Sequence, residues 1–251
     1  MHQHIYSNLL KASHKQLGVL VDPDKQTNES LLQLIQLAQN CRADYFFVGG
    51  SLLVEDSFDK TIATIKQHSS IPVVIFPGNN YQISTKADAI LFLSLISGRN
   101  AEYLIGQHVT AAPLINESGL EAIPTGYILI DGGRVSTTSY ITQTVPIPAD
   151  KPDIAIATAL AGQMLGMKLI YLEAGSGAQN HVPATMISAV KKNINIPLIV
   201  GGGIRSAQQA EAVCRAGADV VVVGNVLEKE PDLLMEISLA VHGSVTSNKY
   251  V

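Results

Sequence analysis

The sequence predicts a (β/α)8 TIM barrel. Three observations carry that reading: eight short apolar runs, amphipathic helical patterns between them, and glycine-rich loops after the last three runs. The runs lie at 17–21, 45–48, 73–76, 90–93, 127–130, 169–172, 197–200 and 220–223. Each is continuously apolar and is bounded by Gly, Pro, Asp or Asn, the pattern of a parallel strand buried on both faces. Segments such as 29–38 and 207–214 repeat apolar residues at i, i+3 and i+4, as an outer helix does. A doubly wound sheet with an extra lobe is the alternative arrangement.

Two units depart from the repeat. About a dozen residues, including Pro77-Gly78-Asn79-Asn80, separate the third and fourth runs, too few for a helix and its return. The third helix is therefore expected to be missing or replaced by an extended segment. Between the fifth run and a helix near 153–165 lies a hydroxyl-rich stretch, 132–151, with Ser136, Thr137, Thr138 and Ser139 and the prolines Pro146 and Pro148. A loop of that length in a compact domain is expected to be functional. With no linker, solenoid repeat or low-complexity tract, residues 1–251 read as one domain. The polar tail, 244–251, is expected to fray.

Composition narrows the function classes. The chain of 251 residues is 47% apolar, long enough for a large core, with a formal charge of −4 and no basic stripe, which argues against nucleic acid. No apolar run approaches about 18 residues, so no membrane span is expected, and the first residues lack the order of a signal peptide. Cys41 and Cys214 fall in helical patterns and read as buried thiols, consistent with a cytoplasmic protein. Of the seven histidines, only His2 and His4 are spaced like metal ligands, at an unanchored terminus. No nucleophile elbow or dinucleotide fingerprint is present.

In a barrel, chemistry comes from the C-terminal ends of strands. The sixth run ends in Tyr171-Leu172-Glu173-Ala174-Gly175-Ser176-Gly177, a carboxylate followed by a small-residue loop whose amides can face an anion. The seventh ends in Gly201-Gly202-Gly203 and the eighth in Gly224-Asn225, the usual place for a barrel's phosphate site. These glycines also suit tight strand-to-helix turns. Ser206 is placed to cap the following helix, with Gln209 completing a capping box. The first run ends in Asp22-Pro23-Asp24-Lys25 and the second in Gly49-Gly50-Ser51. Asp22 and the Ser51 hydroxyl offer the oxygen ligands that Mg2+ takes beside phosphate, with Lys25 neutralising that phosphate. The competing reading is a plain turn in which Asp24 caps the next helix. Arg99, after the fourth run, either grips a diphosphate or faces water.

Taken in order, Asp22-Pro23-Asp24-Lys25, Gly49-Gly50-Ser51, Tyr171 to Gly177, Gly201-Gly202-Gly203-Ile204 and Val223-Gly224-Asn225 resemble the geranylgeranylglyceryl phosphate synthases and their bacterial relatives, which include heptaprenylglyceryl phosphate synthase. The resemblance spans nearly the whole chain. Pro124-Thr125-Gly126-Tyr127 and Gly132-Gly133-Arg134-Val135 are similar to the group holding many archaeal and Bacteroidetes members. It implies a prenyltransferase that joins sn-glycerol 1-phosphate to a polyprenyl diphosphate, geranylgeranyl by expectation, with Mg2+ held at Asp22 and Ser51. It further implies a glycerol phosphate site formed by Tyr171, Leu172, Glu173, Ala174, Gly175, Ser176 and Gly177 with Gly202, Gly203, Gly224 and Asn225. Glu173 and Tyr171 would then be catalytic, Glu173 facing Asp22 across the barrel. A homo-oligomer, dimer or hexamer of dimers, and a peripheral contact with a lipid surface for product release are also implied. One departure stands out: many bacterial relatives carry a lysine two positions before the first-run Asp, where this chain has Leu20.

Other classes share the phosphate loops. A phosphosugar isomerase or cyclase would use Asp22 and Glu173 as opposed acid and base. An FMN-dependent oxidoreductase would hold its flavin phosphate in the same loops, and a non-catalytic sensor would bind phosphorylated ligands without turnover.

Overall fold

The computed structural model describes residues 4–53 and 57–244. Residues 245–251, where fraying was expected, and His2 lie outside the described residues.

Eight parallel strands close into one ring in chain order: β1 Gln16–Val21, β2 Tyr45–Val48, β3 Val73–Ile75, β4 Ala89–Leu95, β5 Glu121–Leu129, β6 Leu169–Glu173, β7 Leu198–Gly201 and β8 Val220–Val223. β8 pairs back onto β1, with Gln16 opposite Val220 and Val19 opposite Val223. Side chains alternate across each strand. On β6, Leu169, Tyr171 and Glu173 point into the ring, while Ile170 and Leu172 point out to the helices; only Glu173 of these five belongs to neither apolar cluster. The same alternation along β1 carries Asp22 inward. Gly18 of β1 leaves room for the Phe47 ring, which a Cβ there would strike.

The outer layer is α2 Asn28–Asn40, α3 Phe58–His68, α4 Gln107–Ser118, α6 Pro152–Met164, α7 Ala184–Asn193, α8 Ala207–Ala216 and α9 Leu233–His242. Two shorter helices, α1 Ile5–Lys11 and α5 Thr137–Thr142, complete the set. Residues 76–88 form turns and extended chain, so no helix follows β3, as the short spacing predicts. Ser206 caps α8 by accepting from the Gln209 amide at 3.2 Å; the Gln209 side chain accepts from the Arg205 amide, one residue outside a true capping box. Cys41 and Cys214 are buried free thiols, and burial pushes the Cys214 pKa up to about 11.

Three features were not read from the sequence. α1 closes the N-terminal end of the ring: Ile5 and Leu9 join the inner core, and the Glu121 carboxylate accepts from the amides of Ile5 and Tyr6 at 2.5 and 3.2 Å. β5 begins well before residue 127, because Glu121, Pro124 and Thr125 hide an apolar strand behind polar and turn-forming residues. The stretch 132–151 is not all loop. Ser136 and Ser139 form a reciprocal capping box that starts α5. No helix among the described residues is long and apolar enough to cross a membrane.

Candidate active site

A cavity of about 870 Å3 opens at the C-terminal end of the ring and is lined from β1, β2, β6, β7, β8 and their loops. Its polar floor is set by Tyr171 and Glu173. The Glu173 carboxylate is buried, and one oxygen accepts from the Gly175 amide at 2.7 Å. Burial raises its pKa from 4.5 to about 7, against the opposing pull of the Gly175 amide and the neighbouring Tyr171 hydroxyl. Tyr171 is fully buried, and its hydroxyl makes no hydrogen bond of ordinary geometry among the described residues. Desolvation and the adjacent Glu173 charge raise its pKa well above 10, so it is a phenol, not a phenolate. Its ring stacks on Phe76 at 5.1 Å and meets the edge of Tyr127 at 5.5 Å.

The glycines of β7 make room for this pair. A Cβ on Gly201 would collide with the Tyr171 hydroxyl, and one on Gly202 with Glu173 Oε1. Gly202 also has φ +82°, which a side chain would strain. Part of the glycine run thus serves the acid–phenol pair.

On the opposite wall, Asp22 Oδ2 lies 3.4 Å from Lys25 Nζ. Its Oδ1 accepts from the Asp24 amide at 3.3 Å, so Asp22 caps the short 3-10 turn Pro23–Lys25. Asp24 does not cap the next helix; Thr27 does, through Ser30. The Ser51 hydroxyl is 2.9 Å from Thr138 Oγ1 of α5. A polar chain rims the cavity beyond: Ser176 donates to Asn225 at 3.0 Å, and Asn225 and Lys25 both donate to one oxygen of Glu228 at 3.3 Å. Glu173 and Asp22 line one cavity from β6 and β1, three strands apart in the ring of eight.

The structure brings together Asp22, Lys25, Ser51, Tyr171, Glu173, Ser176, Gly177, Gly202, Gly203, Gly224 and Asn225 at this cavity. It does not bring the rest. Leu172 and Ala174 pack into the outer core, because strand alternation turns Leu172 away from the ring. The Ala174 amide bonds the Gly201 carbonyl at 3.1 Å, and the Gly175 amide is taken by Glu173. Arg99 turns onto the carbonyls of Ile96 and Gly98 in its own loop and lies off the cavity wall. The arginines on that wall are Arg134, which approaches Gly177, and Arg205, whose guanidinium donates to the Ala178 carbonyl. Sequence reading singled out Thr138 only within a stretch expected to be functional, and it missed Glu228 and Gln82. Gln82, buried, accepts from the Gly78 amide at 3.0 Å and donates to the Gly50 carbonyl at 2.9 Å, tying the Ser51 loop to the segment after β3.

The cavity continues as an apolar slot where the third helix would lie. Ile83, the outward faces of Ile90 and Phe92, and Ala111 and Ile115 of α4 form its walls. His108 sits edge-on to Phe92 at 4.4 Å and is 3.2 Å from Ser94. Burial lowers its pKa, so a neutral imidazole faces the slot.

Residues 11–241 match the PcrB family. The chain belongs to the PcrB family. Among named PcrB-like relatives, the geranylgeranylglyceryl phosphate synthase of Spirosoma linguale is 53% identical over 230 residues, 92% of each chain. That of Methanosphaera stadtmanae is 41% identical over 232 residues, 92% of this chain and 95% of the relative. In structure, the chain is similar to (S)-3-O-geranylgeranylglyceryl phosphate synthase from Thermoplasma acidophilum, solved in complex with its substrate sn-glycerol-1-phosphate. The TM-score is 0.88 at 34% identity, over 95% of this chain and 97% of that one. Within this PcrB-family site, Leu20 lines the cavity two residues before Asp22 and packs against the position of Gly224. The lysines that line the cavity are Lys25, on β1's loop, and Lys229, after β8.

Proposed function

We propose that this chain is a geranylgeranylglyceryl phosphate synthase, joining the 3-hydroxyl of sn-glycerol 1-phosphate to C1 of a polyprenyl diphosphate, geranylgeranyl by preference. The observation that carries the reading is one cavity with three chemistries: a buried acid–phenol pair, an Asp–Lys–Ser wall, and an apolar slot. The slot disfavours a phosphosugar isomerase or cyclase, whose substrates have no long apolar part. The relatives' names and the bound ligand of the Thermoplasma acidophilum protein agree with it.

The glycerol phosphate lies against Gly202, Gly203, Gly224 and Asn225, with Ser176 and Arg134 as further donors. Glu173 and the Tyr171 hydroxyl hold the glycerol hydroxyls. The 3-hydroxyl oxygen forms the new bond to C1 as the C1–O bond to diphosphate breaks, its electron pair leaving with the diphosphate. The hydroxyl proton passes to Glu173, whose pKa near 7 suits a base at neutral pH. Lys25 faces the leaving group and disperses its charge. Holding both substrates in one cavity removes the entropy of encounter.

Asp22, Ser51 and Thr138 present oxygen donors alone, and Gly50 leaves Asp22 accessible: a Cβ there would sit 3.2 Å from its Oδ1. That donor set fits Mg2+, which takes one or two carboxylates and completes its shell with phosphate oxygens and water. Bound there, it supplies charge stabilisation to the departing diphosphate.

The chain is further proposed to be cytoplasmic, as its two buried reduced thiols suit, and homo-oligomeric, a dimer or hexamer of dimers. Met164 and Leu165 at the end of α6, 81% and 75% exposed, support a subunit contact. Exposed Tyr81, Val135 and Tyr140 near the cavity mouth support peripheral contact with lipid. Sedimentation velocity tests the first, and flotation with anionic vesicles the second.

The deciding experiment incubates the protein with Mg2+, glycerol 1-phosphate and labelled geranylgeranyl diphosphate. Label should enter a phosphatase-sensitive ether lipid, and EDTA should stop it. Free geranylgeraniol alone, or equal rates with glycerol 3-phosphate, would overturn the assignment.

A further inference from the structure

At the other end of the ring, three side chains from separate segments converge: His14 just before β1, Asp44 just before β2, and His242 at the end of α9. One ligand atom from each lies within 4.8 Å of the other two. Asp44 Oδ1 is 3.3 Å from His14 Nε2, and its Oδ2 is 2.9 Å from His242 Nε2. The rings stand edge to face, 5.4 Å apart. The carboxylate is fixed, because Oδ2 also accepts from the Leu17 amide at 2.8 Å.

The protons of His242 can be assigned. Ser238 has one hydroxyl hydrogen, and it is spent on the Cys41 carbonyl at 2.6 Å, which can only accept. Ser238 Oγ is also 3.1 Å from His242 Nδ1, so Nδ1 must be the donor in that contact. In the neutral ring, Nε2 is then a bare lone pair aimed at a carboxylate oxygen. A positive charge must lie between them, either a second proton or a metal ion. An imidazole whose far N–H is held by a hydroxyl while Nε2 faces outward is the arrangement of a metal-bound histidine and its supporting hydrogen bond. Zinc bonds of about 2.0–2.1 Å place tetrahedral donor atoms about 3.3 Å apart, the His14–Asp44 separation here; the shorter His242–Asp44 contact, 2.9 Å to the other oxygen, opens slightly to admit an ion. His14, with its side chain 46% exposed, leaves a fourth position open to water.

We propose that His14, Asp44 and His242 form a binding site for a zinc-class divalent cation, distinct from the oxygen-lined wall at Asp22. Two imidazoles and one carboxylate favour zinc, nickel or copper over magnesium. The ion would clasp the lead-ins of β1 and β2 to the last helix, so its effect is on stability.

The test is a thermal melt of chelator-stripped protein with and without ZnCl2, paired with the visible d–d spectrum of the CoCl2-loaded protein. At zinc about a hundredfold above Kd, the melting temperature should rise by about 5–10 °C, and cobalt should give the intense bands of a tetrahedral site. His14→Ala, at a half-exposed position, keeps the fold and should abolish both signals; His242→Gln should do the same. Asp22→Ala, and a His2→Ala/His4→Ala double variant, should keep both. No zinc-dependent rise, a rise that survives His14→Ala and His242→Gln, or one lost in the other variants would overturn the site.

Discussion

Glu173 titrates in the folded chain near pH 7 instead of 4.5, because burial disfavours its charge. Folding therefore favours its protonated form. Its contribution to stability is full below pH 4.5 and is lost as pH rises through 7, a difference of about 3 kcal/mol. Glu173→Gln keeps an oxygen for the Gly175 amide and should melt higher than the wild type at pH 8, with the gap closing towards pH 4.5. Its turnover should fall by about 10²–10⁴. In the wild type, kcat/KM should rise with pH through an apparent pKa near 7, and a flat profile would remove the base role. Tyr171→Phe deletes a hydroxyl that makes no hydrogen bond of ordinary geometry among the described residues, so melting should change little while kcat/KM falls about tenfold to a hundredfold. Asp22, Ser51 and Glu173 were legible because a strand tip in a barrel has only one functional direction. Leu172 was misplaced although strand alternation alone turns it outward. Arg99 and Arg134 both sit in loops after strands, and nothing in a sequence says which guanidinium folds back onto its own carbonyls.

The missing third helix was readable at the scale of elements from spacing alone, and so was the barrel. The slot it leaves was not, because its walls come from β4 and α4 as well as from residues 76–88. Ala111 is the small residue among those walls. Ala111→Phe should raise the KM for geranylgeranyl diphosphate tenfold or more and that for geranyl diphosphate far less, measured on purified protein at fixed glycerol 1-phosphate. α1 and α5 escaped sequence reading for different reasons. α5 is built of Ser and Thr except for Tyr140 and Ile141, so it lacks an apolar period, and a capping box starts it. α1 depends on a carboxylate more than a hundred residues away. Glu121→Ala should therefore destabilise the protein by about 1–2 kcal/mol, seen in urea unfolding, without changing the KM for glycerol phosphate.

For the whole molecule, the ring places its chemistry at one end and its supports at the other: Glu173 and Asp22 at the mouth, and α1 with the His14–Asp44–His242 cluster at the base. Changes at the base should move melting temperature and leave KM alone; changes at the mouth, the buried Glu173–Tyr171 pair apart, should do the reverse. Gln82 is the exception to this division. It is buried under the Ser51 loop and should affect both, with Gln82→Ala lowering the melting temperature and raising the Mg2+ requirement. The pairing of β8 with β1 has a consequence for how the chain is made. Neighbouring strands meet across about 30 residues, but β1 and β8 are separated by about 200. Closing the longer span costs about 1.7 kcal/mol more in loop entropy. On a ribosome adding about 5–20 residues per second, β1 waits roughly 10–40 s for the strand that will cover its open edge. Through that interval the nascent chain exposes an unpaired apolar strand, and its yield in the cell should depend on chaperones that shield such edges.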